Sequence, residues 1–438
     1  MAVSEETGGA AQPEAAPAGV ETGFASYLFA HGAWFLAFGV QGVLFPYLVR
    51  VVLNEPAGRF GLAQMAGQLP TTLLILVGGF VADRVDAKRT MVIACGLAML
   101  AFLLLGGLVT TGRLTYGVLI AYAVAVGTIG AFAVPARDSL LSHIAPQGDG
   151  IHKAVAMASM AQFGGQIGGM VLAAMAPLLG VGPLLLGQAA LLAAAAVAAM
   201  RMKPRPNEHR SHRGDGGLIG FMASQIGGGF SAAVASPVIA PVLVCSVGMG
   251  VCFFGAFAVL LPLLVQSHFP SNLVGAARTQ IVSALGIFSL CFWVGTMLSA
   301  TVLIRMAGLR RKGLAYLGAL AAGSLVLLLC VLPVPLWLLC AINLLWGMCG
   351  GVAMTLGRGF VQAYAQPDKR ARVLSIFTLG QMGGAPVGAV AYGFLAQAVG
   401  ARTAILVPGL LMLAIVAVVA ATSKLRGLGA DAPVAAAG

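Results

Sequence analysis

Long apolar runs alternate with short polar segments along almost the whole chain. Each run has roughly 20 residues, which lets an α-helix cross about 30 Å of hydrocarbon. The pattern therefore predicts an all-α integral membrane protein. We expect twelve transmembrane helices, near residues 27–49, 62–82, 90–110, 115–135, 154–176, 181–200, 240–264, 280–303, 312–332, 335–357, 373–396 and 402–421.

The polar segments predict two six-helix bundles and two tails. The longest polar interruption, residues 201–237, separates six predicted helices from the next six, so one bundle covers residues 24–200 and the other residues 238–422. Residues 1–23 are rich in Ala, Gly, Pro and Glu, which predicts a disordered N-terminal tail. Residues 423–438 form the C-terminal tail.

The central segment, residues 201–237, allows two interpretations. Its basic residues and glycines are typical of a flexible cytoplasmic linker. Its apolar residues also recur at four-residue spacing, which would place them on one face of a helix lying on the membrane surface. These apolar residues are Leu218, Met222, Ile226, Phe230 and Val234.

Composition excludes several other classes of protein. With 59% hydrophobic and 9% charged residues, the chain is too apolar for a water-soluble globular protein. The basic residues behind the net charge of +12 are distributed between the helices, so they indicate membrane topology and not nucleic-acid binding. The seven cysteines lie in apolar runs without a repeated spacing, so we expect no disulfide framework, no metal and no cofactor.

The distribution of Lys and Arg predicts the orientation in the membrane. If both termini are cytoplasmic, all 25 of these residues lie on the cytoplasmic side except Arg50, Arg59, Arg113, Arg278 and Arg402. Basic residues concentrate in the cytoplasmic loops of membrane proteins. Together with the richness in Ala and Gly and the short loops, this bias predicts a multi-pass protein of a bacterial inner membrane with cytoplasmic termini.

A basic turn follows the second predicted helix. Its sequence is Gly79-Phe80-Val81-Ala82-Asp83-Arg84-Val85-Asp86-Ala87-Lys88-Arg89. The turn resembles the conserved loop between the second and third helices of the major facilitator superfamily. Asp86 stands where that loop usually has a second glycine, and Ala87 where it usually has a basic residue. The matching residues are Gly79, Ala82, Asp83, Arg84, Lys88 and Arg89.

The resemblance implies a fold and a mechanism. Members of this superfamily have two pseudo-symmetric six-helix bundles and move small molecules by alternating access. The Asp of the loop, here Asp83, would meet the start of the eleventh helix, here residues 372–375, and close the cytoplasmic gate when the protein faces outward. Arg84, Lys88 and Arg89 would serve either that gate or the membrane topology alone.

A segment at the end of the fourth predicted helix resembles a motif of exporters. Val134-Pro135-Ala136-Arg137-Asp138 is similar to the Pro-Ala-Arg segment of bacterial drug and siderophore exporters related to the enterobactin exporters. Arg137 and Asp138 could form a charge network with the Asp83 loop. The alternative is an ion pair at the membrane interface.

Glycines cluster in the fifth predicted helix. Gly164-Gly165-Gln166-Ile167-Gly168-Gly169 resembles the antiporter motif of the superfamily, with Gly165 in place of its proline, and that motif is associated with export. Close packing or bending of helices is the alternative role of such glycines. The same order of an Arg, a Pro and a glycine run recurs over residues 358–388, which indicates that the two halves are related.

Carboxylates are absent from the middle of the predicted helices. All 13 Asp and Glu residues lie in tails, loops or helix ends. A strongly cationic substrate would therefore lack a partner, and proton coupling would need another group. His31, in the first helix, is the leading candidate because imidazole titrates near neutral pH, with a structural histidine as the alternative.

The resemblance also implies a substrate cavity between helices 1, 4, 7 and 10. Polar and aromatic residues in the middle of membrane helices nominate its lining, although interhelical packing is an alternative role for each. The candidates are Gln41, Tyr122, Thr128, Phe253, Phe254, Asn343 and Trp346, and on helices 5 and 11 Gln162, Gln166 and Gln381. Such a cavity suits amphiphilic, neutral or weakly charged solutes.

These observations favour a monomeric secondary-active transporter in the lipid bilayer that exports small amphiphilic molecules in exchange for protons. The missing membrane carboxylate favours an alternative, an importer or uncoupled facilitator of a nutrient, a peptide fragment or a lipid. A membrane sensor or scaffold has no positive support, because the loop retains Asp83 and Arg84. An enzyme is not expected, since the polar segments contain no nucleophile with a base, metal-ligand cluster or phosphate-binding loop.

Overall fold

Every regular element that the structure describes is helical. The computed structural model describes residues 18–428 except residues 83, 146–149, 205–226, 228–229, 232, 271–272, 274, 306–310 and 367–368. The long helices are α1 (Ala18–Tyr47), α2 (Ala57–Ala82), α3 (Ala87–Thr110), α4 (Tyr116–Ile144), α5 (Gly150–Ala174), α6 (Val181–Arg201), α7 (Ile239–Gln266), α8 (Thr279–Arg305), α9 (Lys312–Leu329), α10 (Leu336–Tyr364), α11 (Arg370–Val399) and α12 (Leu406–Thr422).

Two of these helices contain a stretch of π-helix, and short turns join others. The π-helical segments are Leu48–Val52, which continues α1, and Met249–Phe254 inside α7. One-turn helices precede α6 and α12. Because short segments join most of the long helices and several consecutive helices pack side by side, neighbours along the chain run in opposite directions. We call the face that carries the start of α1 and the end of α12 the terminal face, and the other the opposite face.

Eleven of the described helices are long and apolar enough to cross a membrane. The helix outside this set is α5, which has 25 residues and packs along α1. Its apolarity is reduced by Gln162, Gln166 and Ser159 and by its glycines. Counting α5 as a spanning helix restores the order of twelve helices that the sequence predicts, and its length is sufficient at 1.5 Å per residue.

The first helix starts earlier than the sequence predicts. α1 begins at Ala18 and includes residues 18–23 of the predicted tail. No proline occurs between Pro17 and Pro46, so nothing in that stretch breaks the helix. The remaining tail, residues 1–17, lies outside the described residues.

Two helices continue beyond their predicted ends. α4 and α10 end at Ile144 and Tyr364, whereas the fall in hydropathy predicts ends at residues 135 and 357. Charged side chains lower hydropathy without interrupting the hydrogen bonds of the helix backbone, so hydropathy alone places these ends too early. Arg137, predicted at the helix end, therefore lies about two turns inside α4.

In the turn between α2 and α3, a residue that departs from the superfamily pattern caps the next helix. Asp86 is the N-cap of α3, and its carboxylate accepts a hydrogen bond from the Lys88 amide at 2.8 Å. Its φ of −61° is open to any residue. Since Asp is a preferred N-cap, the replacement of the usual glycine stabilises this helix start.

The predicted linker and tail are described only in part. Leu218, Met222 and Ile226 lie outside the described residues, while Phe230 and Val234 are exposed. After α12, residues Lys424–Gly427 form a 3₁₀ turn whose Leu425 is buried against α9. The first residues of the predicted C-terminal tail are thus packed onto the helices.

Glycines allow very close crossings between helices of the first half, α1–α6. A Cβ at Gly165 of α5 would collide with the carbonyl oxygen of Gly32 on α1, and one at Gly169 with that of Leu36. The glycine run that resembles the antiporter motif therefore lies at the contact between α1 and α5. Such contacts replace the hydrophobic driving force that helices lack inside lipid.

The second half, α7–α12, repeats this crossing between α7 and α11. Added Cβ atoms at Gly250 and Gly388 would collide with the carbonyl oxygens of Gln381 and Val251. Gly384 approaches the same turn, with the Val251 amide nitrogen 2.6 Å from its added Cβ. The recurrence of glycines in the sequence thus corresponds to equivalent helix contacts in the two halves.

The halves contact each other through α2 with α11 and through α5 with α8. Near the opposite face, the Gly58 amide donates to Gln397 Oε1 at 3.0 Å, and an added Cβ at Gly61 would meet the Ala389 carbonyl. Further along α2, Thr72 Oγ1 donates to the Met382 carbonyl at 3.2 Å. The described contacts between α2 and α11 therefore run from near the opposite face to just past the middle of both helices.

The α1–α5 crossing predicts an effect of a single methyl group. Gly165→Ala should destabilise the protein by about 1–3 kcal/mol, because its Cβ overlaps backbone that cannot move freely. The measurement is thermal unfolding of the purified protein in detergent.

Gly164→Ala is the matched control, since no atom lies within 4 Å of its added Cβ. It should keep or slightly raise the unfolding temperature, because Ala favours helix more than Gly. Equal effects of the two substitutions would contradict the close crossing.

Candidate substrate cavity

A cavity of about 440 Å³ lies within the first half, between α1, α2, α4 and α5. Its volume is in the range of small-molecule sites. Its aromatic lining residues are Trp34, Phe35, Phe38, Phe45 and Tyr122, and its polar ones Gln41, Gln64, Gln68, Thr71, Arg137 and Gln166. None of the lining residues is acidic in this described part of the chain.

The aromatic wall is held by contacts between helices. The Trp34 and Phe38 rings of α1 stack with centroids 4.8 Å apart, and Phe38 meets the edge of Phe102 on α3 at 6.0 Å. Phe102 in turn contacts Tyr122 of α4 at 5.7 Å. The i, i+4 spacing of Trp34 and Phe38 places both rings on the same face of α1, where they line the cavity.

Amide groups lie beside this wall. Gln41 is buried, and neither atom of its amide has a hydrogen-bond partner among the residues described. Gln166 lines the cavity from α5. Gln64 Nε2 donates at 2.7 Å to the Ala258 carbonyl on α7 of the second half. One lining residue therefore links the cavity to the contact between the halves.

Arg137 is the charged residue of the cavity lining. It is only 4% exposed, and its Nε and Nη1 have no partner among the described residues. Its Cζ lies 4.5 Å from the centroid of Phe35 and 5.8 Å from that of Trp34. The guanidinium is thus held by cation–π contacts.

His31 lies in the same cluster without lining the cavity. Its ring is 5.1 Å from Phe35, and its Nδ1 is 3.4 Å from the Tyr27 hydroxyl. That hydroxyl also lies within hydrogen-bond distance, 3.4 Å, of the Arg137 carbonyl. His31 Nε2 is buried without a partner in the described structure.

Three of the ten nominated cavity residues, Gln41, Tyr122 and Gln166, line this cavity. Two others in the first half do not. Thr128 Oγ1 donates to the Val124 carbonyl one turn earlier on α4, and Gln162 is half-buried on α5.

The nominated residues of the second half form a packed aromatic cluster. Phe253, Phe254 and Trp346 surround a space of about 20 Å³, enough for about one water molecule. Asn343 Nδ2 donates to the Phe288 carbonyl at 2.7 Å, and Gln381 is buried at the α7–α11 crossing.

The nominated gate residues lie toward the terminal face. Arg84 is exposed and stacks on Phe80, with Cζ 3.6 Å from the ring centroid. Lys88 is half-buried, and Arg89 and Asp138 are exposed. Gly79 has open space around its α-carbon. Asp83 lies outside the described residues.

A second cavity of about 610 Å³ lies between the halves near the opposite face. Arg50 Nε donates to Gln266 Oε1 at 3.2 Å across it, joining α1 to α7. Arg278 also lines it. This cavity is separate from the aromatic one and holds two basic residues.

The sequence analysis missed the contribution of α2 to the aromatic cavity. Gln64, Gln68 and Thr71 follow an i, i+4, i+7 spacing in an otherwise apolar helix. That spacing puts polar groups on a single face, which is a signal readable from the sequence.

Comparison with known proteins identifies the family. Residues 38–436 match the model of the family MFS_3, described as transmembrane secretion effector. A comparison with curated protein sequences found no match.

Solved structures share the fold at low sequence identity. The nucleoside transporter NupG is 14% identical, covering 91% of this chain and 98% of that chain, with a TM-score of 0.73. A bacterial homologue of the human lysosomal transporter Spinster, in an inward-facing and unoccupied conformation, is 14% identical over 94% of this chain and 97% of that chain, with a TM-score of 0.62.

A POT family transporter in complex with 5-aminolevulinic acid is 12% identical over 93% of this chain and 96% of that chain, with a TM-score of 0.65. Because the family model covers most of the sequence and these structures share its fold, the chain belongs to the transmembrane secretion effector family MFS_3 and is a membrane transporter of the major facilitator kind.

Proposed function

We propose that this transporter exports small amphiphilic molecules across a bacterial inner membrane by alternating access, in exchange for protons. The cavity of about 440 Å³ carries the proposal, because its aromatic wall and amides offer apolar area with a few hydrogen-bonding groups. Drugs, siderophores and other metabolites of this character are the candidate cargo. The protein would act as a monomer.

The direction of transport is supported by two observations. The family's description refers to secretion. With the termini in the cytoplasm, as the basic residues favour, the contact of Gly58 on α2 with Gln397 on α11 lies toward the periplasm. Opening of this contact would release cargo outward.

The loop after α2 would act when the protein faces outward. Asp83 would then cap the start of α11, with Arg84, Lys88 and Arg89 nearby and Gly79 allowing close approach. Asp138 would complete this gate with Arg137. An aspartate at a helix N-terminus is stabilised by the helix dipole, which gives the contact its physical basis.

His31 would carry the coupled proton. It is the buried imidazole beside the cavity lining, in ring contact with Phe35. An importer or uncoupled facilitator of a nutrient, a peptide fragment or a lipid is the alternative, and the absence of acidic residues from the described cavity lining favours it.

Proton coupling predicts that an imposed pH gradient drives transport. In proteoliposomes, acidification of the lumen should drive uptake of amphiphilic dyes by the wild type, and His31→Ala should remove the dependence on the gradient. Dye fluorescence measures the uptake.

His143→Ala is the control for loss of a histidine. His143 bonds to the Ser139 carbonyl on its own helix and does not line the cavity. If the wild type moves dye at the same rate with and without the pH gradient, the uncoupled facilitator is favoured.

The cavity predicts a difference between two buried glutamines. Gln41→Ala should weaken dye affinity by about 2- to 10-fold, the value of one hydrogen bond of about 0.5–1.5 kcal/mol. Gln188→Ala should leave it unchanged, because Gln188 is also buried with no partner for its amide in the described structure, but lies outside the cavity lining.

The measurement is the dye concentration at half-maximal uptake. If both variants change it equally, the effect comes from helix packing, and the cavity is not where the dye binds.

A further inference from the structure

Arg137 is an unusual residue for the wall of a membrane cavity. The residue is only 4% exposed, and it lies about two turns from the end of α4. A guanidinium buried without a counter-charge is costly, so such residues inside membranes mark binding sites or ion pathways.

The neighbouring aspartate, Asp138, interacts with the Arg137 charge through space but forms no ion pair with it among the described residues. Asp138 is exposed while Arg137 is buried, as expected for consecutive helix residues, which point in different directions. The ion pair found in the described residues is Arg59 with Glu55, near the opposite face. The lining of the cavity supplies no acidic side chain in the part of the chain described.

The surroundings of Arg137 leave its donors free for a ligand. The guanidinium stacks on Phe35 and lies near Trp34, and stacking through its face keeps its in-plane N–H groups available. Two of its nitrogens, Nε and Nη1, have no partner in the described structure. This planar edge matches the two oxygens of a carboxylate.

Other groups of the cavity favour the same kind of ligand. The Gln41 amide and the Tyr122 hydroxyl also lack partners among the described residues and can donate hydrogen bonds. The rings of Phe38 and Phe45 supply apolar area. One end of the cavity therefore suits a negative charge, and its wall suits an apolar body.

We infer that the cavity selects amphiphilic organic anions, with the carboxylate bound by Arg137 and the apolar body against Trp34, Phe35 and Phe38. The inference rests on the proposed function, since it names the class of cargo for the same cavity. It gives Arg137 a role in binding in addition to any role in the gate.

Binding of a matched pair of probes tests the inference on the purified full-length protein in uncharged detergent. The probes are 2-naphthoxyacetate and the corresponding alcohol, 2-(2-naphthoxy)ethanol, which differ in the carboxylate alone at neutral pH. Isothermal titration measures both affinities. The wild type should bind the carboxylate at least about 10-fold more tightly, because hydrogen bonds to charged groups are the strong ones.

Arg137→Met removes the charge and keeps a long apolar side chain. It should weaken binding of the carboxylate by about 10- to 100-fold and change binding of the alcohol by less than about 2-fold. The affinity of Arg137→Lys for the carboxylate should lie between those of the wild type and Arg137→Met, since Lys keeps the charge and loses the planar pair of donors.

Arg59→Met is the control, because Arg59 also lies over an aromatic ring, Tyr116 at 5.5 Å, but is exposed and outside the cavity. It should leave both affinities unchanged.

Thermal unfolding separates binding from a structural role. If Arg137 serves a ligand, Arg137→Met should keep or raise the unfolding temperature, because it removes an unpaired buried charge. A lower unfolding temperature together with equal weakening of both probes would assign Arg137 to packing, or to an ion pair with a residue such as Asp83, and would overturn the inference.

The inference also fails if the wild type binds the two probes equally or binds neither. In those cases the proposed function would still be supported if the wild type takes up dyes in response to the pH gradient. Selective binding of the carboxylate without any transport would instead contradict the proposed function.

Discussion

Close backbone contact at glycines holds the helices of each half together. Inside lipid, helices gain little from burying apolar side chains against each other, so their association relies on tight packing and on hydrogen bonds between helices. At the α1–α5 and α7–α11 crossings, even one methyl group has no space. These crossings fix where α1 lies, and α1 carries most of the aromatic wall of the cavity.

The two halves use equivalent crossings for different purposes. In the first half the aromatic residues line a cavity of about 440 Å³, whereas Phe253, Phe257, Phe292 and Trp346 of the second half surround a space of about 20 Å³. The ring centroids of Phe257 and Phe292 are only 4.6 Å apart. A related scaffold therefore supports a cavity in the first half and a tightly packed aromatic cluster in the second.

The sequence predicts the fold well because membrane helices are defined by length and apolarity, and the recurring glycines predict a real contact. It predicts helix ends poorly, as α4 shows, because backbone hydrogen bonding continues past the first charged residues. The cavity is predicted in part. Gln41 is found, but Trp346 cannot be distinguished from a lining residue by type alone, since aromatic rings serve packing and binding equally.

Gln64 has a consequence for how loading and opening are linked. Its amide faces the cavity and also bonds to Ala258 in the other half, at 2.7 Å. A solute that draws this amide toward itself weakens the closed contact between the halves by up to the value of one hydrogen bond, about 1 kcal/mol. By reciprocity, closure lowers the affinity for that solute by the same factor. A solute in the cavity and the contact between the halves then compete for a single side chain, so occupancy of the cavity weakens that contact.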